Sequence, residues 1–583
     1  MSLFRVWAPK AKQLEVEVRS KRFSLSADEN GWWFAEMPSV EPGTDYVFVI
    51  DGHKHLPDPR SHWQPQGVDG PSRTVDHGAF CWTDRRWQAK PLSASLFYEL
   101  HIGTFTPEGT FKAAIEKLDH LVRLGITHVE LMPVAEFSGN RGWGYDGVYP
   151  FAPHHAYGSP DDLKLLVDAC HAHNLAIVLD VVYNHLGPAG NYLDYFGPYF
   201  TDRYVTPWGS AVNFDGPFSD EVRRFFCDNA LMWLGDYHFD GLRLDAVHAI
   251  IDTSAMHFLE QLTCEVADLE AHIGRHLSLI AESDLNDPRV VRSQKLGGYG
   301  IHAQWSDDFH HALHCVLTDE HDGYYADFGS LANLAKALQG VFVNDGRYSP
   351  FRKRRHGKST IGLPGHHFLG YLQTHDQIGN RANGERSSHL MSRGHLKIGA
   401  ALVLTAPFVP LLFQGEEWGA SSPFLYFTDH QDSELARAVT EGRRREFAAF
   451  GWRSEDVPDP QGRETFERSK LNWREPEKET HNDLFTWHRQ LIQLRREIPA
   501  LSDSRVERVR TSFDESAKWF VVSRGRLVVA CNLSNIDQRV PVSLGHGAEF
   551  LLASASNIQF THDAVALPPD SVAIMIANQS AME

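Results

Sequence analysis

Cysteine is scarce in this chain. Six are spread over 583 residues, as Cys81, Cys170, Cys227, Cys264, Cys315 and Cys531. None is spaced as Cys-x-x-Cys, which excludes a zinc ribbon or a thioredoxin-type redox motif. Several fall in apolar helical contexts, so the set reads as reduced core residues of a cytosolic protein. Long hydrophobic runs are missing too. The longest, Ile398 to Phe413, contains Pro407 and Pro410 and falls short of the ~20 residues that a membrane span needs. Met1 to Trp7 lacks a basic stretch followed by an apolar one, so no signal peptide is expected and the expected location is the cytoplasm. Positive charge is in short supply: 56 Lys and Arg face 75 Asp and Glu, a formal net charge of −19. That balance argues against nucleic acid or an anionic membrane as the main partner, and it does not repel a neutral polyol. The one basic run, Arg352 to Lys358, reads as a solvated loop rather than an anion site. There is no repeat and no low-complexity tract.

What is present is the composition of a globular protein, 42% hydrophobic and 22% charged, with 15 Trp and 35 Phe. That aromatic content exceeds what a core usually needs, and the surplus suits a groove for sugar rings. The length is too great for one hydrophobic core, so several domains are expected. Residues 1–90 read as an N-terminal β-sandwich of carbohydrate-module type. Phe4–Trp7, Leu14–Val18 and Tyr46–Ile50 alternate or are β-rich, and turn residues separate them.

From about Leu96 the rhythm becomes strand, helix, strand. Phe111 to Leu124 predicts one amphipathic helix with Phe111, Ile115, Leu118 and Val122 on a single face, Thr110 as N-cap and Gly125 as stop. Ser159-Pro160-Asp161-Asp162 predicts a capped helix start. Strands are expected at Phe97–Gly103, Val129–Val134, Leu175–Val182, Gly241–Asp245, Leu277–Ala281, His302–Trp305, Phe368–Thr374 and Phe408–Phe413. Eight strands with helices between them predict a (β/α)8 TIM barrel with insertions over 91–501. A doubly wound sheet is the alternative fold, but the Gly-rich phosphate loop it usually carries is absent. After a helix at Leu484–Ile498, residues 502–583 read as a C-terminal all-β domain.

Four carboxylates each end a short apolar run: Asp180, Asp245, Glu282 and Asp376. An unpaired buried carboxylate is costly, so four in sequence point to strands that deliver acids to one site at the C-terminal mouth of the barrel. Arg243 and Asp245 are two apart on a strand and therefore share a face. The guanidinium keeps Asp245 ionised and oriented. Glu282 follows Leu279-Ile280-Ala281, and apolar surroundings of that kind raise a carboxyl pKa, as a general acid requires. One ionised and one protonated acid across a cleft is the arrangement for glycoside hydrolysis. Taken singly, His185 and His375 read as structural histidines.

In order and spacing, Asp180–His185, Gly241–His248, Ala281–Asp284 and Thr374–Asp376 resemble the four motifs of the α-amylase family, glycoside hydrolase family thirteen. Carried over residue by residue, the resemblance implies that Asp245 is the nucleophile and Glu282 the acid/base. Asp376 would hold the 2- and 3-hydroxyls and stabilise the transition state. Arg243 would orient Asp245, His185 and His375 would bind hydroxyls, and Asp180 would join the same ring. Tyr145, in Gly142–Gly147, matches the aromatic that stacks on the sugar.

Within the family, Ala281–Pro288, Thr206–Asp215 and His375–Ala382 resemble the trehalose-releasing members. Branching and isoamylase-type debranching members share the N-terminal sandwich, but branching members usually carry a different sequence after the histidine-aspartate pair and debranching members a different one after the acid. The implied substrate is maltooligosyltrehalose, with related α-glucans, and the implied reaction hydrolyses the α-1,4 bond beside the terminal trehalose. A maltooligosyltrehalose synthase is the implied functional partner. Asp284 and His248 are the candidates for reading the trehalose end. The alternatives are a branching or debranching enzyme and an inactive amylase-fold binding protein. Many members hold a structural calcium near the position of Asn184, but its other ligands are not legible here. His310-His311 and His366-His367 lack a third zinc ligand. No metal and no cofactor is assigned.

Overall fold

The computed structural model describes residues 2–37, 40–448, 453 and 456–578. Its centre is a closed barrel of eight parallel strands: β1 Phe97–Leu100, β2 His128–Leu131, β3 Ala176–Val181, β4 Gly241–Leu244, β5 Ser278–Ala281, β6 Ala303–Trp305, β7 Phe368–Gly370 and β8 Val409–Phe413. Each pairs with its neighbour in sequence, and β8 closes on β1, which replaces the open doubly wound alternative. Every residue of these strands is buried, because side chains fill the inside and helices cover the outside. Val178, Ile280, Trp305, Leu369, Tyr371 and Leu411 pack together in one cluster. Leu242, Leu244 and Leu279 belong to the larger core that takes in the surrounding helices.

The strands are shorter than the sequence predicts, and local chemistry shows why. Phe97–Gly103 is a strand only to Leu100, after which Ile102–Phe105 turns into helix. Phe368–Thr374 ends at Gly370, since Thr374 caps the helix His375–Gly379 with its hydroxyl. Gly370 itself is squeezed between Phe309 and Phe408, where an added Cβ would lie 3.0 Å from each ring.

The expected Phe111–Leu124 helix is two helices, Phe111–Ile115 and Leu118–Leu124. Thr110 accepts from the Ala113 N–H and Gly125 stops the second helix at φ +104°, as expected. The break at Glu116–Lys117 resets the register, so Leu118, Leu121 and Leu124 are buried and Val122 is 42% exposed instead of joining the face. Ser159 and Asp162 form the reciprocal capping box that opens Pro160–Ala172.

Before the barrel, Ser2–Trp7, Trp32–Met37 and Ser26–Ala27 form one antiparallel sheet, and Lys21–Ser24, Leu14–Val18, Asp45–Ile50 and Lys54–Leu56 a second. Trp7 packs edge-on against Tyr199 of the excursion that follows β3. After the long helix Glu479–Glu497, a five-stranded and a three-stranded antiparallel sheet close the chain. Arg524 is 4% exposed and donates to the carbonyls of Thr405 and Ala406, which ties this region to the barrel. All six cysteines are free; Cys81 is exposed, against the expectation of a core position, because it lies in the segment that leads to the barrel.

Candidate active site

Strand register builds the floor of the site. Asp180 on β3 is directly opposite Arg243 on β4. The Arg243 side chain is fully buried and lies 4.3 Å from the Trp305 ring centroid. Its Nη1 donates to both oxygens of Asp180 at 3.0 and 2.9 Å, and to Asp245 Oδ1 at 3.0 Å. Its Nη2 lies 2.9 Å from Glu282 Oε2, close enough for an ion pair but not aligned for a hydrogen bond. One guanidinium therefore serves three carboxylates. Burial pushes the Asp180 carboxyl up to about 7 even against the pull of Arg243, and Asp245 adds to the rise.

Two of the remaining acids are aimed by the end of a strand. Asp245 comes one residue after β4, and Glu282 one residue after β5. Ala246 takes the left-handed conformation at φ +38°, unusual for a residue with a Cβ. There its N–H donates to Glu282 Oε2 at 2.9 Å. This corrects the expectation of apolar surroundings for Glu282. Leu279 packs in the outer core, and the carboxylate meets a guanidinium and a peptide N–H instead.

Asp376 sits on the helix after β7. Burial raises its pKa, His375 opposes the rise, and Glu282 adds to it. Tyr145 donates from its hydroxyl to Asp180 Oδ2 at 2.7 Å, and that hydroxyl is 2.9 Å from His375 Nε2. His185 stacks on Trp208, with ring centroids 4.5 Å apart, and burial lowers its pKa to about 4.

Two clefts open from this floor. The first, of about 380 Å³, is lined by Trp143, Tyr145, His185, Trp208, Asp245, His248, Glu282, His375 and Asp376, among others. The second, of about 310 Å³, is lined by Asp284, Asp307, His311, Tyr324, Phe328, Phe351 and Arg352, again with Glu282 and Asp376. Glu282, Asp376 and Asn380 line both, while Asp245 lines only the first. The structure thus brings all ten predicted residues to one region and divides two of them: Asp284 borders the second cleft, and His248 borders the first.

The sequence reading missed several residues at the site. Arg352 belongs to the basic run expected to be a solvated loop, yet its Nη1 is 3.0 Å from Asp284 Oδ2 and it lines the second cleft. His356 of the same run bonds the Asp284 carbonyl oxygen through Nε2 at 2.8 Å. Burial raises the Asp284 pKa, but His248 and Arg352 outweigh it and the net shift is downward. A basic run in so acidic a chain was the available signal. Trp208, which lines the first cleft, and Tyr324 and Phe351, which line the second, are 46%, 40% and 45% exposed.

The metal expectation can be tested on the side chains. Asn184 Oδ1 is engaged by His185 Nδ1 at 3.0 Å. No group of three His, Cys, Asp or Glu side chains gathers around Asn184 among the described residues. Glu136, His154 and His155 do come together, but Glu136 already accepts from the N–H and Nδ1 of His155.

Comparison with known proteins gives the same outline. Residues 63–197 match the family described as alpha amylase, catalytic domain, and residues 504–574 match a domain of unknown function (DUF3459). The malto-oligosyltrehalose trehalohydrolase of Arthrobacter ramosus is 50% identical over 535 residues, covering 91% of this chain and 92% of that protein. The malto-oligosyltrehalose trehalohydrolase of Mycobacterium tuberculosis is 48% identical over 563 residues, 96% of each chain. A solved alpha-amylase-like chain from Salmonella typhimurium superimposes with a TM-score of 0.91 at 39% identity, covering 99% of this chain and 97% of that one.

Proposed function

The chain belongs to the malto-oligosyltrehalose trehalohydrolases of the alpha-amylase family, and from that premise and the geometry we infer a retaining glycoside hydrolase. It cleaves the α-1,4 bond beside the terminal trehalose of maltooligosyltrehalose, releasing trehalose and a maltooligosaccharide. The observation that carries the residue assignment is the junction of the two clefts at Glu282 and Asp376. The sugar to be attacked lies in the first cleft, over Asp245, and the leaving trehalose in the second.

In this reading Glu282 is the acid/base. Its Oε2 is held by the Ala246 N–H, which leaves Oε1 to give a proton to the glycosidic oxygen. Asp245 is the nucleophile. Its Oδ1 is held by Arg243, which leaves Oδ2 to attack the anomeric carbon and form a glycosyl ester. Glu282, now deprotonated, takes a proton from water, and that water releases the maltooligosaccharide. Two carboxylates on one guanidinium are close neighbours, which suits the ~5–5.5 Å spacing of retaining enzymes better than the ~6.5–9.5 Å of inverting ones. Asp376, His185 and His375 hold hydroxyls of the attacked sugar, Asp180 braces Tyr145, and Tyr145 supplies the ring beneath that sugar.

Trehalose is joined α,α-1,1, so its second ring turns sharply away from the path of a maltose unit. The second cleft meets that turn with the rings of Tyr324 and Phe351 and the Asp284–Arg352 pair; His248 acts on Asp284 only electrostatically, from the first cleft. A donor or acceptor that loses its partner with plain maltooligosaccharide makes the discrimination large.

The reading extends to three units, 1–90, 91–501 and 502–583, and to a cytoplasmic location, which the unpaired cysteines support. No helix among the described residues is long and apolar enough to cross a membrane. An enzyme that builds the trehalose end of the substrate is the functional partner. The test is a parallel digest of maltotriosyltrehalose and maltopentaose. Rapid trehalose release from the first with little cleavage of the second is expected; equal cleavage of both would remove the trehalose-end selectivity.

A further inference from the structure

Behind the proposed catalytic residues lie two acids that the reaction as written does not use. Glu99 on β1 and Glu130 on β2 face each other in register, and each is 1% exposed. Their bonding differs completely. Glu99 Oε2 accepts the backbone N–H of His375 at 3.1 Å, and Oε1 accepts from His375 Nδ1. Both oxygens of Glu130 are buried without a hydrogen-bond partner.

The other ring nitrogen of His375 fixes its charge. Nε2 is 2.9 Å from the Tyr145 hydroxyl, whose proton goes to Asp180 Oδ2 at 2.7 Å. With Asp180 ionised, the Tyr145 oxygen is the acceptor and His375 Nε2 the donor. Asp376 Oδ1 lies 3.5 Å from the same nitrogen. A ring that donates from both nitrogens is an imidazolium, since the neutral ring has only one N–H.

We propose that Glu99 is a positioning residue for the trehalose-releasing reaction: it holds His375 as an imidazolium, so that His375 aligns Tyr145 and Asp376 under the sugar in the first cleft. The proposal rests on the function inferred above. The groups that face His375 come from every side of the floor. Glu99, Asp180 and Asp376 favour its positive charge and Arg243 opposes it, while His101, lowered to about 3 by burial, carries no charge there. Burial alone lowers the His375 pKa, but Glu99 and Asp376 outweigh it and carry the value to about 9. Glu130 goes the other way: burial first, then Glu99, push its pKa well up, which matches a neutral acid that needs no cation of its own.

The experiment is the pH dependence of kcat and KM on maltotriosyltrehalose for the wild type, Glu99→Gln and Glu130→Gln. Glu99→Gln keeps the shape and removes the counter-charge. Its alkaline limb is expected to move down by at least ~1 pH unit, with kcat reduced ~10- to 100-fold at neutral pH and KM changed far less. Glu130→Gln replaces a neutral acid by a neutral amide and is expected to keep the wild-type limb. A wild-type limb in Glu99→Gln, or a shifted one in Glu130→Gln, overturns the proposal.

Neutron diffraction of the wild-type protein near pH 7 decides the same point without any substrate or variant. Deuterium on both His375 nitrogens is expected, and a bare nitrogen overturns the assignment. Absence of trehalose release by the wild type would instead sink the substrate reading, and the neutron map would still report on His375.

Discussion

The two ends of the barrel handle buried charge in opposite ways. At the base, where β4 begins, Asp240 accepts from Trp87 Nε1 at 2.8 Å, from the Ile177 N–H at 2.9 Å and from His171 Nε2 at 3.0 Å. His171 bonds Asp84 through its other nitrogen at 2.9 Å, and His238 bonds Asp84 at 2.7 Å. At the mouth, three carboxylates share one guanidinium and Arg243 keeps Nε and Nη2 without a hydrogen bond, and beneath them Glu130 has no hydrogen-bond partner. The base ties the approach segment to the barrel with acids matched to donors. The mouth keeps acids crowded and donors idle, as in sites where burial and like charge shift pKa values toward a task. The contrast separates residues that hold the fold from residues proposed for the reaction.

Four substitutions or conditions can break or sharpen that contrast. The largest effect belongs to the mouth. Asp245→Asn is expected to lower kcat by roughly 10⁴-fold, the scale for losing a nucleophile. Removing one of several crowded charges should leave the melting temperature unchanged or higher. A melting point that falls with activity would assign Asp245 to the fold.

Next comes the base. His171→Ala strips the shared partner from two buried acids and should cost about 3 to 5 kcal/mol of stability in denaturant titration. Below the new melting point, kcat and KM should stay at wild-type values. A changed kcat there would couple base and mouth.

Asp284→Ala is smaller. The Asp284–Arg352 pair is partly exposed, so its effect on stability is discounted. Cleavage of maltotriosyltrehalose is expected to fall roughly 10-fold relative to maltopentaose. Equal losses on both substrates would remove Asp284 from the selectivity argument.

The smallest effect is that of pH on the base. Burial lowers the His171 pKa, but Asp240 and Asp84 overcome it and the net shift is up. Its contribution is therefore full below the unfolded value of about 6.5 and is lost as pH rises through the raised folded value. Burial raises the Asp84 pKa, but His171 and His238 overcome it and the net shift is down. Its contribution is full above about 3.9 and is lost only as pH falls through the depressed value. The gap in melting temperature between wild type and His171→Ala should be widest from about pH 4 to 6.5 and shrink on either side. A gap that grows with rising pH would contradict the network.

The mouth was more legible in the sequence than the base. Asp180, Asp245, Glu282 and Asp376 each end an apolar run, and that pattern is short-range. Glu99 and Glu130 were missed because each sits inside a strand whose apolar neighbours hide it, and only the parallel register of β1 and β2 brings the two together. The environment of Glu282 was misjudged because Leu279-Ile280-Ala281 says nothing of Arg243, 39 positions earlier. Arg352 and Phe351 were missed because their meeting with Asp284 depends on a loop that folds back over about 70 residues. The early break in Phe111–Leu124 lies in two polar residues, Glu116 and Lys117, which a helix would also accept. Nearest-neighbour pattern therefore gave the barrel and the acids at its rim; the charge network beneath them needed three dimensions.

The central claim is that Asp245 and Glu282 work as a close pair on one sugar, and the anomer of the first product tests it most directly. Proton NMR of maltotriosyltrehalose during the first seconds of cleavage by concentrated enzyme, before mutarotation, reports the new reducing end. The account predicts the α-anomer of maltotriose first, with β appearing only as it mutarotates. Initial β-maltotriose would mean direct attack by water, and would contradict a covalent ester on Asp245.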